Sequence, residues 1–240
     1  MLAALVALVL LHAMLGALLF TPRRMVTMTG YVINLDTRVN RMDSFEAFEW
    51  PFRIERVDAV HGSRVDLVND KRVSKTLLQD IQRQSKTGLR MTHAESTAGG
   101  IGCYMSHLRA WKKCLRSGAE GCFVLEDDAY PTTNRVPNLM AVVRSAPRGT
   151  GILLLGGTYL SFVSHKEDDR YFRVYRFQET HAYYITRDAI VKLMPFVLPM
   201  TQQIDWEISE HASKGRVQIY ALRNKAVKQG LFTTDVQMPV

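Results

Sequence analysis

The residues best placed to do chemistry are Glu126, Asp127 and Asp128, three adjacent carboxylates that directly follow the apolar run Cys122-Phe123-Val124-Leu125. A short continuous apolar run reads as a buried strand. In open α/β sheets, ligands lie beyond the carboxyl ends of such strands. Three acids crowded there repel one another unless a cation or a ligand's hydroxyls come between them. Carboxylate oxygens suit magnesium or manganese. A solvated acidic turn is the alternative, because Asp favours turns. A second acidic pair, Asp205 and Glu207, opens an amphipathic segment beside Trp206. Two positions apart on a helix, their side chains diverge, so at most one reaches a shared site. Asp205 reads either as a residue facing that site or as a residue of the helix cap. Arg38 and Arg41, three apart, form either a clamp for phosphate or base, or a solvated basic face.

The elements that must hold these residues follow from pattern. Tyr31-Val32-Ile33-Asn34-Leu35 is a β-rich run after Gly30, and Arg38–Phe48 places Met42, Phe45 and Phe48 at helical spacing before Trp50-Pro51. Residues 52–60 alternate as a half-exposed strand that ends at His61-Gly62. Residues 63–97 are polar, with one short helix around Leu77, Leu78 and Ile81, and are expected as a mobile loop or an acceptor-binding insertion. Ile101, Met105, Leu108, Trp111 and Leu115 mark a long helix closed by Gly118. Within it, His107 reads as a hydrogen-bonded core residue. A helix near 138–144, strands at 151–157, 171–177, 180–185 and 216–222, and a helix over 187–194 capped by Thr186 complete the pattern.

Composition bounds the class. The 240 residues suffice for one large or two small domains, and long internal repeats are not evident. Met1–Phe20 carries no charge and matches the ~20 residues of a membrane-spanning helix. The expected division is an N-terminal anchor or signal at 1–24 and a folded domain at 28–240. Such an anchor implies a single-pass protein, at the inner membrane in a bacterium or at endomembranes of the Golgi type in a eukaryote. Arg23 and Arg24 after the span favour a cytosolic domain by the positive-inside rule. A start at Met25 or Met28 would remove the span. The net charge of +8 favours phosphate-bearing ligands, anionic lipid or acidic polymers, and there is no nucleic-acid motif. Three cysteines without a CxxC pair give no disulfide framework, and all three read as small buried residues.

Taken in order, six stretches resemble glycosyltransferase family 25, which includes bacterial lipooligosaccharide and procollagen galactosyltransferases. They are Tyr31–Asp36 with Arg38 and Arg41; Val57-Asp58-Ala59-Val60-His61-Gly62; Gly102-Cys103 with Ser106-His107 and Trp111; Leu125–Asp128; Thr180–Tyr183; and Ile204-Asp205-Trp206. The resemblance covers roughly residues 30–229. It implies an α/β fold of the GT-A type, Rossmann-like with a mixed sheet, preceded here by the apolar N-terminal helix. It implies inverting transfer of a hexose, galactose or glucose, from a UDP-sugar to a glycan, glycoprotein or hydroxylysine-type acceptor. The acid triplet stands where the family's DxD motif does. Asp128, with Asp127, would hold manganese or magnesium, and Glu126 would bond the ribose or a neighbouring group. Asn34, Arg38, Arg41, His61 and Ser106 fall on the nucleotide side, Asp205 is the expected base, and Glu207 is second. The insertion at 63–97 departs from the family pattern, which leaves the acceptor open. Two alternatives are a hydrolase or nucleotidyltransferase on the same fold, and an inactive membrane-anchored protein that binds nucleotide sugars or glycans.

Overall fold

Tyr31 and Ile33 bury on one side of the first strand and Val32 on the other, so both faces of the sheet are covered at this strand. The computed structural model describes residues 28–133 and 137–231. The apolar run at 1–20 lies outside them. Among the described residues, no helix is long and apolar enough to cross a membrane.

The chain runs β1 (Thr29–Asn34), α1 (Val39–Glu46), β2 (Arg53–Asp58), α2 (Lys75–Thr87), α3 (Ala98–Ser117), β3 (Gly121–Glu126), β4 (Ala129–Pro131) and α4 (Leu139–Arg144). There follow β5 (Ile152–Leu154), β6 (Thr158–Ser164), β7 (Tyr171–Gln178), β8 (Ala182–Thr186), α5 (Arg187–Leu193), α6 (Ile204–Ser213), β9 (Ile219–Leu222) and β10 (Val227–Gln229). Eight strands form one mixed sheet in the order β2-β1-β3-β8-β5-β9-β7-β6, and β10 pairs with β4 in a small second sheet. The expected α/β architecture with a mixed sheet is what the chain adopts.

β1, β2 and β3 are parallel, so their carboxyl ends share one edge. β8 runs antiparallel to β3, with Leu125 opposite Ala182. The residues that lead into β8 therefore arrive at the same edge, and the Glu126 N–H bonds the His181 carbonyl there at 2.9 Å. α3 packs on the face that carries Tyr31, Ile33 and Val124, through Ile101, Tyr104, Leu108 and Trp111. Thr97 caps its start by accepting the Gly100 N–H at 3.0 Å. Gly118, at φ 74°, ends it in the left-handed conformation that favours glycine.

Two expectations need correction. Residues 63–97 hold α2, 13 residues long, capped by the Ser74 hydroxyl and ended by Gly88. Leu77 is fully buried, Ser74 N–H bonds the Met200 carbonyl, and Arg83 pairs with Glu95 at 2.6 Å. The short helix expected around Leu77, Leu78 and Ile81 is present but longer, and it is packed rather than part of a mobile loop: it buries a narrow stripe and pairs its charges on the open side. The cysteines also differ from expectation. Cys114 and Cys122 form a disulfide across the turn from α3 to β3, and Cys103 is free. Residues near one helix's end and at the next strand's start become neighbours only once that turn folds.

Candidate active site

A cleft of about 700 Å³ opens beyond the carboxyl ends of β1, β2 and β3, where the parallel-strand rule puts a ligand. The amino ends of α3 and α6 and the segment 90–93 complete its walls. α3 approaches closely because two glycines allow it. A Cβ on Gly102 would collide with the Val60 carbonyl oxygen, and one on Gly62 with that of Ala98. Ser106 secures the same contact, donating to the Gly102 carbonyl at 2.6 Å and accepting the Val60 N–H at 2.8 Å.

Folding sends the three adjacent acids in three directions. Asp127 turns toward β1 and α1. Asn34 Nδ2 donates to its Oδ2 at 2.7 Å, and Arg41 Nη1 pairs with Oδ1 at 3.1 Å. Both oxygens are thus engaged by protein. Burial raises the Asp127 pKa against the pull of these two partners. Asn34 is itself fixed, since its Oδ1 accepts from Arg56 Nε at 2.8 Å.

Glu126 turns toward α3. Its Oε1 accepts from Thr180 Oγ1 at 3.0 Å and lies 3.3 Å from His107 Nε2. His107 Nδ1 lies 2.9 Å from the Tyr183 hydroxyl, which accepts from Trp111 Nε1 at 2.8 Å. This network assigns the Nε2–H tautomer to a neutral His107: Tyr183 donates to Nδ1, and Nε2–H donates to Glu126. Burial pushes the Glu126 pKa up, but the hydrogen bond from His107, with the nearby His181 ring and the Thr180 hydroxyl, outweighs it and holds the pKa below the usual carboxylate value.

Asp128 turns toward β10. Gln229 Nε2 donates to its Oδ2 at 3.0 Å, and the Gly230 N–H to its carbonyl at 2.7 Å. Oδ1 is buried without a hydrogen-bond partner. Burial, then the charge of Glu126, pushes the Asp128 pKa up to about 7. An unsatisfied carboxylate oxygen beside an ionised Glu126 is the donor chemistry that suits a hard divalent cation.

Asp205 faces the cleft from the first turn of α6. Its Oδ2 accepts the Glu179 N–H at 3.1 Å and its Oδ1 the Trp206 N–H at 2.8 Å, while burial raises its pKa despite both bonds. Glu179 holds φ 74°, a left-handed conformation that brings its N–H to that carboxylate. Trp206 lines the cleft, with the Arg176 guanidinium 5.0 Å from its ring centroid. Glu207 points elsewhere, accepting from Thr201 Oγ1 at 2.8 Å. Of the two arginines, Arg41 lines the cleft, whereas Arg38 heads α1 and its carbonyl accepts from Asn34 at 3.0 Å. His61 lines the cleft beside Ser63, 2.8 Å away.

A family model described as glycosyltransferase family 25 (LPS biosynthesis protein) matches residues 27–208. The chain belongs to that family. The family-25 span includes every strand-end acid and Asp205, and stops before Gln229, which steadies Asp128. Membership makes the chain a transferase of the glycosyltransferase class. No curated protein matches. Among solved structures, A197 from STIV is 13% identical, with 88% of this chain and 90% of that one covered and a TM-score of 0.44. Mannose-1-phosphate geranyltransferase from Thermus thermophilus is 12% identical, with 82% and 74% covered and a TM-score of 0.36. Neither likeness bears on function. Sequence reasoning had missed Gln229 and the side-chain role of Thr180. Thr180 stands in a matched stretch, but nothing in the sequence marks Gln229, which reaches Asp128 only through the pairing of β10 with β4.

Proposed function

We propose that this chain moves a hexose, galactose or glucose, from a UDP-sugar to a glycan hydroxyl with inversion, on a domain of the GT-A type. The observation that carries the reading is the unpartnered Asp128 Oδ1, buried in the cleft that Asp205 also enters. Manganese or magnesium fits that oxygen, with Glu126 as the neighbouring carboxylate. Asp127 would join them only by giving up Asn34 or Arg41. When bound, such a cation supplies Lewis-acid neutralisation of the leaving diphosphate.

The protein groups take the other tasks. Arg41, Asn34 and His61 lie on the β1 and β2 side, which suits the nucleotide. Asp205, desolvated and held by two backbone N–H groups, takes the proton of the acceptor hydroxyl. Its raised pKa makes it a better proton acceptor than an ordinary exposed Asp. The segment 90–93 borders the cleft and supports an acceptor-side role for the insertion. The family's description favours a lipopolysaccharide-type glycan over a hydroxylysine. A membrane anchor at 1–20 would hold the cleft near a lipid-borne acceptor.

Two substitutions test the reading. Asp128→Asn keeps size and removes charge, so manganese-dependent UDP binding should disappear while the fold persists. Asp205→Asn should bind UDP and manganese as before and transfer roughly 100-fold more slowly, the usual scale for a positioned base. Calorimetric titration of UDP with manganese, run beside a sugar-transfer assay, measures both. Near-normal transfer by Asp205→Asn would remove Asp205 from the mechanism.

A further inference from the structure

α3 presents Cys103 and His107 one turn apart, and the end of β3 sets Glu126 against them. The cysteine sulfur, a ring nitrogen of His107 and a carboxylate oxygen of Glu126 all lie within 4.8 Å of one another. Ligands of a tetrahedral zinc centre stand roughly 3.3–3.8 Å apart when each is ~2.0–2.3 Å from the metal. His107 Nε2 and Glu126 Oε1 are already 3.3 Å apart, so modest side-chain rotations would close the set on one ion.

The donor types choose the ion. Sulfur and imidazole beside one carboxylate suit the zinc class and disfavour magnesium or calcium. Cys103 and Glu126 line the cleft, which leaves a fourth position open to solvent or ligand. The nitrogen of His107 that faces away from the set lies 2.9 Å from the Tyr183 hydroxyl, which Trp111 in turn supports. A ligating histidine needs such an outer partner to fix its ring. Both supporting side chains are fully buried, so the ring cannot swing away.

We propose that Cys103, His107 and Glu126 form a binding site for a thiophilic divalent cation of the zinc class, separate from the oxygen position at Asp128. On binding, the Cys103 thiol releases its proton to solvent and the sulfur bonds the ion. The His107 proton leaves Nε2, which bonds the ion, and Nδ1 becomes protonated; the Tyr183 hydroxyl hydrogen rotates away from Nδ1 so that its oxygen accepts the Nδ1–H. Glu126 exchanges the hydrogen bond from His107 for a bond to the metal. An occupied site holds Glu126 on the α3 side and opposes donor binding. Only that inhibitory effect rests on the proposed function; the site itself does not.

Cobalt(II), a coloured substitute for zinc, is titrated into the full-length protein without thiol reductant. One equivalent should produce a thiolate-to-cobalt charge-transfer band. Cys103→Ser should lose the band and bind zinc at least tenfold more weakly, with its circular dichroism unchanged. Asp128→Asn should keep the band. Mass spectrometry of the wild-type protein gives a reading that needs no variant: zinc should slow alkylation of Cys103. A band that survives Cys103→Ser, no band in the wild type, or an alkylation rate indifferent to zinc overturns the site. A cobalt band in a protein that transfers no sugar would leave the site standing and remove the proposed function.

Discussion

Asp128 holds its proton to about pH 7 because it is buried beside the charge of Glu126. An unfolded chain would release that proton near pH 4. Between those values the folded state binds more protons than the unfolded state. Asp128 therefore adds stability that is fully present below its unfolded pKa and is lost as pH rises through its folded one. Asp128→Asn removes this dependence. Relative to wild type, the variant should gain melting temperature from about pH 5 to about pH 8, and manganese should restore the wild type at the upper end. A constant difference across that range would mean Asp128 is not the buried acid described. The identity of the acids was legible in the sequence because charge after an apolar run stands out. Their division of labour was not. Glu126, Asp127 and Asp128 differ in role because their partners His107, Asn34 and Gln229 lie far away in the chain, and adjacency in sequence carries no information about which way each side chain turns.

At the level of elements, the approach of α3 to the end of β2 sets the cleft's inner wall. A glycine within a helix ordinarily gains about 1 kcal/mol on change to alanine. At Gly102 the new methyl would meet the Val60 carbonyl and Gly62 backbone, neither of which can rotate away. Overpacking costs about 1–3 kcal/mol, so the collision should win. Gly102→Ala should lower the urea midpoint with an unchanged m-value and weaken UDP binding; a variant more stable than wild type would show that this contact yields. Helices with chemical punctuation were legible: Thr186 and Gly118 marked ends that the structure keeps. β6 was not, because seven mostly exposed residues at a sheet edge need no alternation of apolar and polar types. β4 and β10, three residues each, are too short to carry a period. They are nonetheless the elements that bring Gln229 to Asp128.

Across the whole molecule, the site draws on segments from β1 to β10, all of them among the described residues. A chain that starts at Met28 keeps the bond from Arg53 N–H to the Met28 carbonyl at 3.2 Å, and with it the register of β1 and β2. It should retain manganese-dependent UDP binding by calorimetry; loss of binding with the fold intact would assign residues 1–27 a place at the cleft. The overall sheet class was legible from the order of apolar runs, but the insertion of antiparallel β8 between β3 and β5 was not, because strand direction is set by connections that periodicity does not encode. The chain has three tryptophans, and the fold distributes them unequally. Trp50 and Trp111 sit in the two hydrophobic clusters on opposite faces of the sheet, whereas Trp206 stands in the cleft wall under the Arg176 guanidinium. The enclosed pair supplies a steady background emission. Trp206 alone meets whatever enters, so the protein carries its own optical gauge of occupancy. Adding UDP and manganese should change the intrinsic fluorescence, and Trp206→Phe should abolish that change while calorimetry still records the binding.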